Sequence, residues 1–169
     1  MPPIVERYSE ADLPEMLAIW NKVVEVGKAC PQENLLNPGS ARDFFGSQSW
    51  CGVAREIPGG AVEGLYILHP NNVGRCGHIC NASYAVGPDA RGRGLGRALV
   101  CDSLKQAERL GFRIMQFNAV VAGNHAAHHL YRELGFESLG RVKGGFRNRE
   151  GEYEDICLYW RKTGLNGSL

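Results

Sequence analysis

Apolar residues recur along the chain at two spacings, and the two spacings predict helices and strands in alternation. Segments in which apolar residues are three or four positions apart predict helices with one apolar side. These helices cover residues 9–26, 96–110, 124–134 and a short segment capped by Ser40 that carries Phe44 and Phe45. Shorter apolar runs, bounded by glycine, proline and polar residues, predict strands. These strands cover residues 3–8, 50–57, 62–68, 77–86, 112–121, 136–142 and 153–160.

Two of the helices carry additional signals. Ser9 and Asp12 form a capping-box pattern at the start of the first helix. The helix over residues 96–110 is apolar on one side and charged on the other. Its apolar side is predicted to contain Leu99, Val100, Leu104, Ala107 and Leu110, and its polar side Asp102, Lys105, Glu108 and Arg109.

Strands that alternate with helices, together with hairpins at both ends of the chain, predict a mixed α/β sheet. A chain of 169 residues is long enough for one domain with a buried core. That domain is predicted over residues 1–162, followed by a C-terminal tail over 163–169. Fraying is expected to begin at Lys162.

Charge and hydropathy argue against several classes of protein. The formal net charge is +1, so overall charge does not favour nucleic acid or an anionic membrane as a partner. The N-terminal segment has no hydrophobic signal core, and no run reaches the roughly 20 apolar residues that cross a bilayer. We therefore expect a cytoplasmic protein that binds neither nucleic acid nor membrane. In that reducing compartment the six cysteines are expected to be free, buried thiols.

Residues 84–97 predict an anion site between a strand and a helix. Glycines at positions 92, 94 and 96 can adopt positive φ and leave backbone N–H groups open to a ligand. The first turn of the following helix adds unpaired N–H groups and the positive end of its dipole, a combination that binds phosphate. Arg91, Arg93 and Arg97 would supply the opposing charge.

Spacing excludes two common phosphate loops. A P-loop ends in Gly-Lys-Ser/Thr, whereas Arg93 and Gly94 follow Gly92, so the hydroxyl that binds magnesium is missing. A dinucleotide-binding loop that starts at Gly92 needs its third glycine at position 97, where arginine stands. The loop is therefore expected to hold a different phosphate ligand.

Residues 91–96, Arg-Gly-Arg-Gly-Leu-Gly, match the Gln/Arg-x-x-Gly-x-Gly/Ala loop of the GCN5-related N-acetyltransferases. A second motif of that family, Asn-x-x-Ala-x-x-Leu-Tyr followed by Gly-Phe, matches residues 124–131 and 135–136. The chain resembles this family over nearly its whole length. The resemblance implies acetyl-CoA as the cosubstrate and a central sheet whose fourth and fifth strands splay apart to admit the pantetheine arm. Those strands would be residues 77–86 and 112–121.

The resemblance also implies a set of cofactor-binding residues. They are Tyr84, Ala85, Val86, Arg91, Gly92, Arg93, Gly94, Leu95, Gly96, Arg97, Asn124, Ala127 and Tyr131. Asn124 and Tyr131 are seven positions apart on one helix, which places them about 10 Å apart along one face. Tyr131 is expected to be the general acid that protonates the departing CoA thiolate, whose pKa is about 8.5. The alternative is a core tyrosine whose hydroxyl bonds a neighbour.

The sequence leaves the general base open. Members of the family often carry a glutamate on the fourth strand, and residues 77–86 contain none. His78, Asp155 or a chain of water molecules could serve instead. The resemblance places an oxyanion donor at a backbone N–H near Val86.

Residues 75–84 and 117–120 resemble a subgroup that includes fungal acetyltransferases of azetidine-2-carboxylate and related proline analogues. In that subgroup, asparagines at the positions of Asn81 and Asn118 are associated with holding the acceptor. An amide on each splayed strand can bond the carboxylate of a small acceptor without adding net charge. The alternative is that both amides bond exposed strand backbone where the sheet opens.

Two clusters could be drawn as metal sites: His125, His128 and His129 on one helix, and Cys76, His78 and Cys80 on one strand. Neither has the usual zinc spacing, so no metal is expected. The histidines are expected to be solvated or near the cofactor, and the cysteines to fill small spaces in the core. A basic patch near the last hairpin contains Arg141, Lys143, Arg147 and Arg149. It is either a solvated loop or a mobile flap over the acceptor site.

These observations lead to one main hypothesis. The protein is expected to transfer the acetyl group of acetyl-CoA directly to the amine of a small molecule, with an amino or imino acid favoured. The alternatives are acetylation of a protein or peptide amine and a non-catalytic CoA-binding sensor. Because members of the family are often dimers, a homodimer is compatible with the resemblance.

Overall fold

The computed structural model describes residues 1–164. Within them, four α-helices and seven strands are joined by loops and three single turns of 3-10 helix. The strands are β1 Ile4–Arg7, β2 Trp50–Arg55, β3 Gly64–Pro70, β4 Ile79–Val86, β5 Ile114–Val121, β6 Glu137–Arg147 and β7 Tyr153–Lys162. The helices are α1 Leu13–Val26, α2 Pro38–Gly46, α3 Leu95–Arg109 and α4 His125–Glu133. Every helix and strand expected from the sequence is present, with shifted ends.

The strands form one sheet in the order β1-β2-β3-β4-β5-β7-β6. Neighbouring strands are antiparallel except β4 and β5, which are parallel. The prediction of a mixed α/β sheet is therefore confirmed, and most of its neighbouring strands are antiparallel.

β4 and β5 separate soon after they begin. Their pairing is limited to Ile79 with Ile114 and Cys80 with Met115. Past these pairs, the edge of β4 that faces β5 has no strand to bond, and a gap opens toward the C-terminal ends of both strands. The splayed fourth and fifth strands implied by the resemblance are present in the structure.

Helices cover both faces of the sheet, so the core has two halves. Side chains of a strand alternate between the faces. Tyr66 and Leu68 of β3 belong to the half that α3 covers, and Leu65 and Ile67 belong to the half that α1 and α2 cover. The amphipathic stripes predicted for α1 and α3 thus bury their apolar sides against opposite faces of one sheet.

The stripe predicted for α3 needs two corrections. Leu110 follows the helix and is 43% exposed, so it lies outside the core. Asp102 is half-buried and accepts a hydrogen bond of 2.6 Å from the Tyr66 hydroxyl, so it faces the sheet rather than bulk water. Periodicity alone placed Asp102 on the charged side because the partner that draws it inward lies on another element.

The start of the first helix contains a buried ion pair. The predicted capping box is confirmed, since the Ser9 N–H donates to Asp12 Oδ2 over 2.9 Å. Asp12 also pairs with Arg55, and each of these two side chains is at most 10% exposed. Arg55 donates further to Glu6 over 2.8 Å and to the Gly60 carbonyl over 2.7 Å. β1, β2 and the start of α1 are therefore joined through one guanidinium.

The cap of α2 is Asn37, so the prediction of Ser40 as the cap was wrong by three residues. The Ser40 N–H donates to Asn37 Oδ1 over 2.9 Å, and the Asn37 N–H donates to Ser40 Oγ over 2.8 Å. Pro38 occupies the first turn, where its missing N–H costs nothing.

The chain stays packed beyond the point where fraying was predicted. β7 runs to Lys162, and the Thr163 side chain is buried, with its hydroxyl donating to the Phe112 carbonyl over 2.7 Å. The Gly164 N–H donates to the Leu104 carbonyl over 3.3 Å. The predicted fraying was therefore wrong for residues 162–164, and the rest of the predicted tail lies outside the described residues.

The six cysteines are free thiols, but only Cys51 and Cys80 are buried. Cys76 is exposed and lies in a single turn of 3-10 helix rather than on β4. The expectation of buried thiols therefore holds for two positions and is wrong for Cys76.

Among residues 1–164, no helix combines the length and apolar character needed to cross a membrane.

Candidate active site

The larger cavity at the splayed strands opens where β4 ends and α3 begins. Its volume is about 690 Å³. Its wall contains eleven of the residues predicted to bind the cofactor: Tyr84, Ala85, Val86, Arg91, Gly92, Gly94, Leu95, Gly96, Asn124, Ala127 and Tyr131. Two distant motifs, the glycine loop and α4, therefore line one cavity.

The glycine loop has the geometry of an anion site. Gly92 and Gly94 have φ values of +78° and +79°, and a Cβ at either position would meet nothing within 4 Å. Gly96 lies inside α3, as predicted for the helix over residues 96–110, and does not use the positive φ that is open to glycine. Gly94 caps a helix of 15 residues without a side chain that could bond its first N–H groups. Those N–H groups can bind a diphosphate, so the loop fits the phosphate end of acetyl-CoA.

The three arginines of the loop have different surroundings. Arg91 lines the cavity. Arg93 donates to Glu63 over 2.6 Å and to Glu56 over 3.2 Å, and it does not line the cavity. Arg97 pairs with Glu133 over 3.1 Å and is also outside the lining. The structure therefore offers Arg91 alone among the three as a partner for a bound phosphate.

Replacing Arg91 by glutamine should raise the KM for acetyl-CoA about tenfold, because the loss removes one charge-assisted hydrogen bond. Arg93→Gln is the matched control. It removes the same charge two residues from Arg91, and the Arg93 side chain is already paired with Glu63 and Glu56. It should change that KM by less than about twofold. Steady-state kinetics with acetyl-CoA as the varied substrate distinguish the two. Equal effects in both variants would contradict the assignment of Arg91.

A smaller cavity of about 250 Å³ lies between the splayed strands. Asn81 of β4 and Asn118 of β5 both line it. It shares Tyr84, Asn124 and Tyr131 with the larger cavity, so the two spaces meet along one wall. A thioester entering from the loop and an amine entering from the gap can therefore meet beside Tyr131.

The Tyr131 ring is held by other aromatic rings. Its centroid lies 4.5 Å from that of Phe117, 5.5 Å from Phe136 and 6.0 Å from Tyr159. Its hydroxyl has no hydrogen-bond partner within residues 1–164, so the alternative of a core tyrosine bonded to a neighbour does not fit. Burial, and to a lesser degree Tyr159, raises the pKa of Tyr131 above the usual tyrosine value. The phenol therefore keeps its proton at neutral pH and can act as an acid.

Tyr84 lines both cavities, but its hydroxyl is engaged elsewhere. It lies 2.7 Å from Ser103 Oγ, and Ser103 in turn donates to the Val100 carbonyl. Because Ser103 Oγ gives its proton to that carbonyl, the Tyr84 hydroxyl is the donor between the two. Burial raises the pKa of Tyr84 well above its usual value. Tyr84 therefore contributes a ring to the wall of both cavities, while its hydroxyl is bonded to Ser103.

His128 is a structural residue that sequence reasoning did not single out from its neighbours. It is buried, and its Nε2 lies 3.0 Å from the Val121 carbonyl, which can only accept. Nε2 therefore carries the proton, and Nδ1 accepts from the Tyr159 hydroxyl over 2.6 Å. His128 thus ties α4 to β5 and β7, whereas His125 and His129 are exposed.

Asn124 caps α4, and its Oδ1 accepts from the Ala127 N–H over 3.3 Å. This bond fixes the oxygen of the amide and leaves its N–H groups for the cavity. A residue chosen for a cofactor contact therefore also starts the helix that carries Tyr131.

Neither side chain considered as the general base lines either of the two cavities described above. His78 is exposed before β4. Asp155 accepts from the Gly144 N–H over 3.0 Å and pairs with Arg141 over 2.7 Å, and these contacts lower the pKa of Asp155. Glu154, which precedes Asp155 on β7, lines the larger cavity. Alternation along β7 could have indicated that Glu154 and Asp155 face opposite sides, but not which side faces the cavity.

The three arginines of the basic patch near the last hairpin have partners, and Arg141 pairs with Asp155 as described above. Arg147 bonds Glu33 over 2.9 Å, and Arg149 donates to the Glu25 carbonyl over 3.1 Å. β6 and the β6–β7 hairpin therefore contact the last turn of α1 and the segment that follows it. Within residues 1–164, no three histidine, cysteine, aspartate or glutamate side chains are grouped to hold a metal.

Comparison with known proteins agrees with this geometry. The model of the acetyltransferase (GNAT) family matches residues 20–136. The N-acetyltransferase aca1 of Schizosaccharomyces pombe is 31% identical over 156 residues, which cover 82% of this chain and 74% of that protein. The L-methionine sulfoximine/L-methionine sulfone acetyltransferase of Pseudomonas aeruginosa is 31% identical over 140 residues, 78% of each chain.

One solved structure is similar to this protein in both fold and sequence. It is a phosphinothricin acetyltransferase of Sinorhizobium meliloti in complex with acetyl-CoA, with a TM-score of 0.88 and 25% identity. The match covers 97% of this chain and 90% of that one. The family model spans more than half of the chain, and the matched residues 20–136 include both motifs that line the larger cavity. The chain therefore belongs to the acetyltransferase (GNAT) family and is an N-acetyltransferase that uses acetyl-CoA.

Proposed function

We propose that the protein transfers the acetyl group of acetyl-CoA directly to the amine of a small amino or imino acid. The observation that carries this proposal is the meeting of two cavities at Tyr131. The larger cavity suits the cosubstrate, and the smaller one, of about 250 Å³, suits a compact acceptor. A ternary complex is favoured because both spaces can be filled at once.

The chemistry of the smaller cavity supports an acceptor that carries a carboxylate. Among residues 1–164, its lining contains amide and hydroxyl groups but no acidic side chain. Two similar proteins are named for small amino-acid analogues, methionine sulfoximine or sulfone and phosphinothricin. Azetidine-2-carboxylate and other cyclic imino acids have the same carboxylate next to the amine, so they belong to the same acceptor class.

The transfer needs one bond made, one bond broken and two proton movements. The amine nitrogen attacks the thioester carbonyl, and backbone N–H groups of β4 that face the gap are proposed to stabilise the oxyanion. The C–S bond then breaks, Tyr131 gives its proton to the leaving thiolate, and a proton from solvent restores the phenol after the transfer. Water in the gap is proposed to take the proton of the amine, because His78 and Asp155 lie outside both cavities. Cys30 lines the smaller cavity, but burial raises the pKa of its thiol, which disfavours a covalent route.

The proposal is tested by acetyl-CoA-dependent release of free thiol against a panel of amines. The panel contains proteinogenic amino acids, azetidine-2-carboxylate, methionine sulfone, phosphinothricin, polyamines, aminoglycosides and short peptides. We expect release with amino or imino acids, and we expect Asn81→Ala or Asn118→Ala to raise the KM for the acceptor about tenfold. Mass spectrometry of the product confirms N-acetylation. Release with peptides alone would contradict the proposal.

A second candidate, acetylation of a peptide amine, has one observation in its favour. A groove of about 560 Å³ lies between residues 24–35 and 145–151. It shares Cys30 and Pro31 with the smaller cavity, so a chain longer than an amino acid could continue into it. In the same panel, a peptide substrate with a lower KM than any amino acid would favour this candidate.

A further inference from the structure

Asn118 lies at an irregular point of β5. The register of β5 against β7 shifts between Phe117 and Val120, so the intervening residues leave the regular ladder. The Asn118 side chain lies on the same side of β5 as that of Gln116, two positions earlier. Its amide meets Asn71 at the β3–β4 connection.

The Asn118 amide is held at both of its ends. Its Nδ2 donates to Asn71 Oδ1 over 2.6 Å. Its Oδ1 accepts from Gln116 Nε2 over 3.1 Å and, more weakly, from Asn71 Nδ2 at 3.5 Å. Asn71 is itself anchored, because its backbone N–H donates to the Ile79 carbonyl of β4 over 2.8 Å. The alternative that Asn118 bonds strand backbone is therefore wrong.

This arrangement decides which group the amide can offer to a ligand. A primary amide has two N–H donors and one oxygen with two lone pairs. The Asn118 oxygen accepts from the N–H groups of Gln116 and Asn71, and one of the two Asn118 N–H groups donates to Asn71. The second Asn118 N–H is therefore the group that remains for a ligand. Without Asn71 and Gln116, the amide could rotate by 180° and present its oxygen instead.

We infer that Asn71 and Gln116 are positioning residues that fix Asn118 as a hydrogen-bond donor and thereby select acceptors with a carboxylate next to the amine. This inference rests on the proposed function and adds the source of its selectivity. The donor suits a carboxylate oxygen. It does not suit a polyamine, whose ammonium groups would need an acceptor at that position.

The test compares each acceptor with its carboxamide. The probes are azetidine-2-carboxylate with azetidine-2-carboxamide, and methionine sulfone with its carboxamide. We expect the wild-type enzyme to prefer the carboxylate in kcat/KM by about tenfold or more. Asn71→Ala should reduce that preference severalfold by raising the KM of the carboxylate, without changing the KM for acetyl-CoA. Gln116→Ala should act in the same direction.

Asn72→Ala is the matched control. Asn72 is the same residue type, adjacent in sequence and exposed, and it does not line either cavity. It should keep the wild-type preference. A preference unchanged in Asn71→Ala, or a wild-type enzyme that acetylates both members of each pair equally, overturns the inference while the proposed function stands. Turnover of peptides alone, with none of these probes acetylated, overturns the proposed function and the inference with it.

Discussion

Replacing Tyr131 by phenylalanine should lower kcat at least a hundredfold, because a positioned general acid contributes about 10²- to 10⁴-fold to a proton-transfer step. The affinity for acetyl-CoA should change little, since the ring keeps its packing on Phe117 and Phe136. Stability should also be retained, because the hydroxyl has no hydrogen-bond partner within residues 1–164 to lose. Thiol-release kinetics measure the first effect, and calorimetric titration with CoA measures the second.

Tyr153→Phe is the control for this change, because Tyr153 is 70% exposed on the last hairpin and lines neither cavity.

The pH profile of the wild-type rate is an independent test of Tyr131 as the acid. Since the pKa of Tyr131 is raised, the acid stays protonated as pH increases. The wild-type rate should therefore rise as the amine loses its proton, and no decrease in rate is expected at pH values up to about 10. Equal turnover in Tyr131→Phe would remove Tyr131 as the acid. Tight CoA binding without turnover of any amine would support the sensor alternative.

Replacing Asp12 by asparagine should destabilise the protein by about 3 kcal/mol at pH 7, because it leaves the buried Arg55 guanidinium without its most buried partner. Glu6 remains beside Arg55, but its side chain is 52% exposed and compensates only in part. Urea unfolding followed by circular dichroism measures the change. Asp43→Asn is the control, since Asp43 is exposed and makes no side-chain hydrogen bond or ion pair within residues 1–164.

The same pair makes stability depend on pH with a definite sign. Burial alone would raise the pKa of Asp12, but hydrogen bonds from Arg55 and Ser9 more than offset burial and lower it. A carboxyl whose pKa is lower in the folded state stabilises the fold above its unfolded pKa of about 3.9 and loses this effect as pH falls through the folded value. The difference between wild type and Asp12→Asn should therefore shrink below about pH 4. A difference that stays constant down to pH 2 would contradict this account.

Local sequence patterns predicted the parts of the site that are themselves local. The glycine loop and the α4 motif each lie within about a dozen residues, and their chemistry follows from glycine φ, helix N-termini and helical spacing. Both motifs line the cavity where the resemblance placed them. The two strands that splay apart were also predicted as strands, because each is a short apolar run between clear turns, whereas their splaying was implied by the resemblance alone.

Contacts between distant parts of the chain could not be predicted in this way. Arg93 is drawn from the loop by Glu63, and Asn118 is held by Asn71, partners 30 and 47 residues away. The cap of α2 was misplaced because Asn37 and Ser40 are both good capping residues and only the backbone conformation distinguishes them. Glu154 was missed for a related reason, since the face that a strand residue occupies depends on the register of its neighbours.

The two-residue contact between β4 and β5 divides the sheet into two mechanical blocks. One block contains β1 to β4 and the other β5 to β7, and each carries one wall of the gap. A small rotation about that short contact would widen or narrow the gap without breaking a hydrogen bond inside either block. The hydrogen bond between the side-chain amides of Asn71 and Asn118 joins the two blocks. This side-chain bond therefore adds a link between the blocks outside their two shared strand pairs.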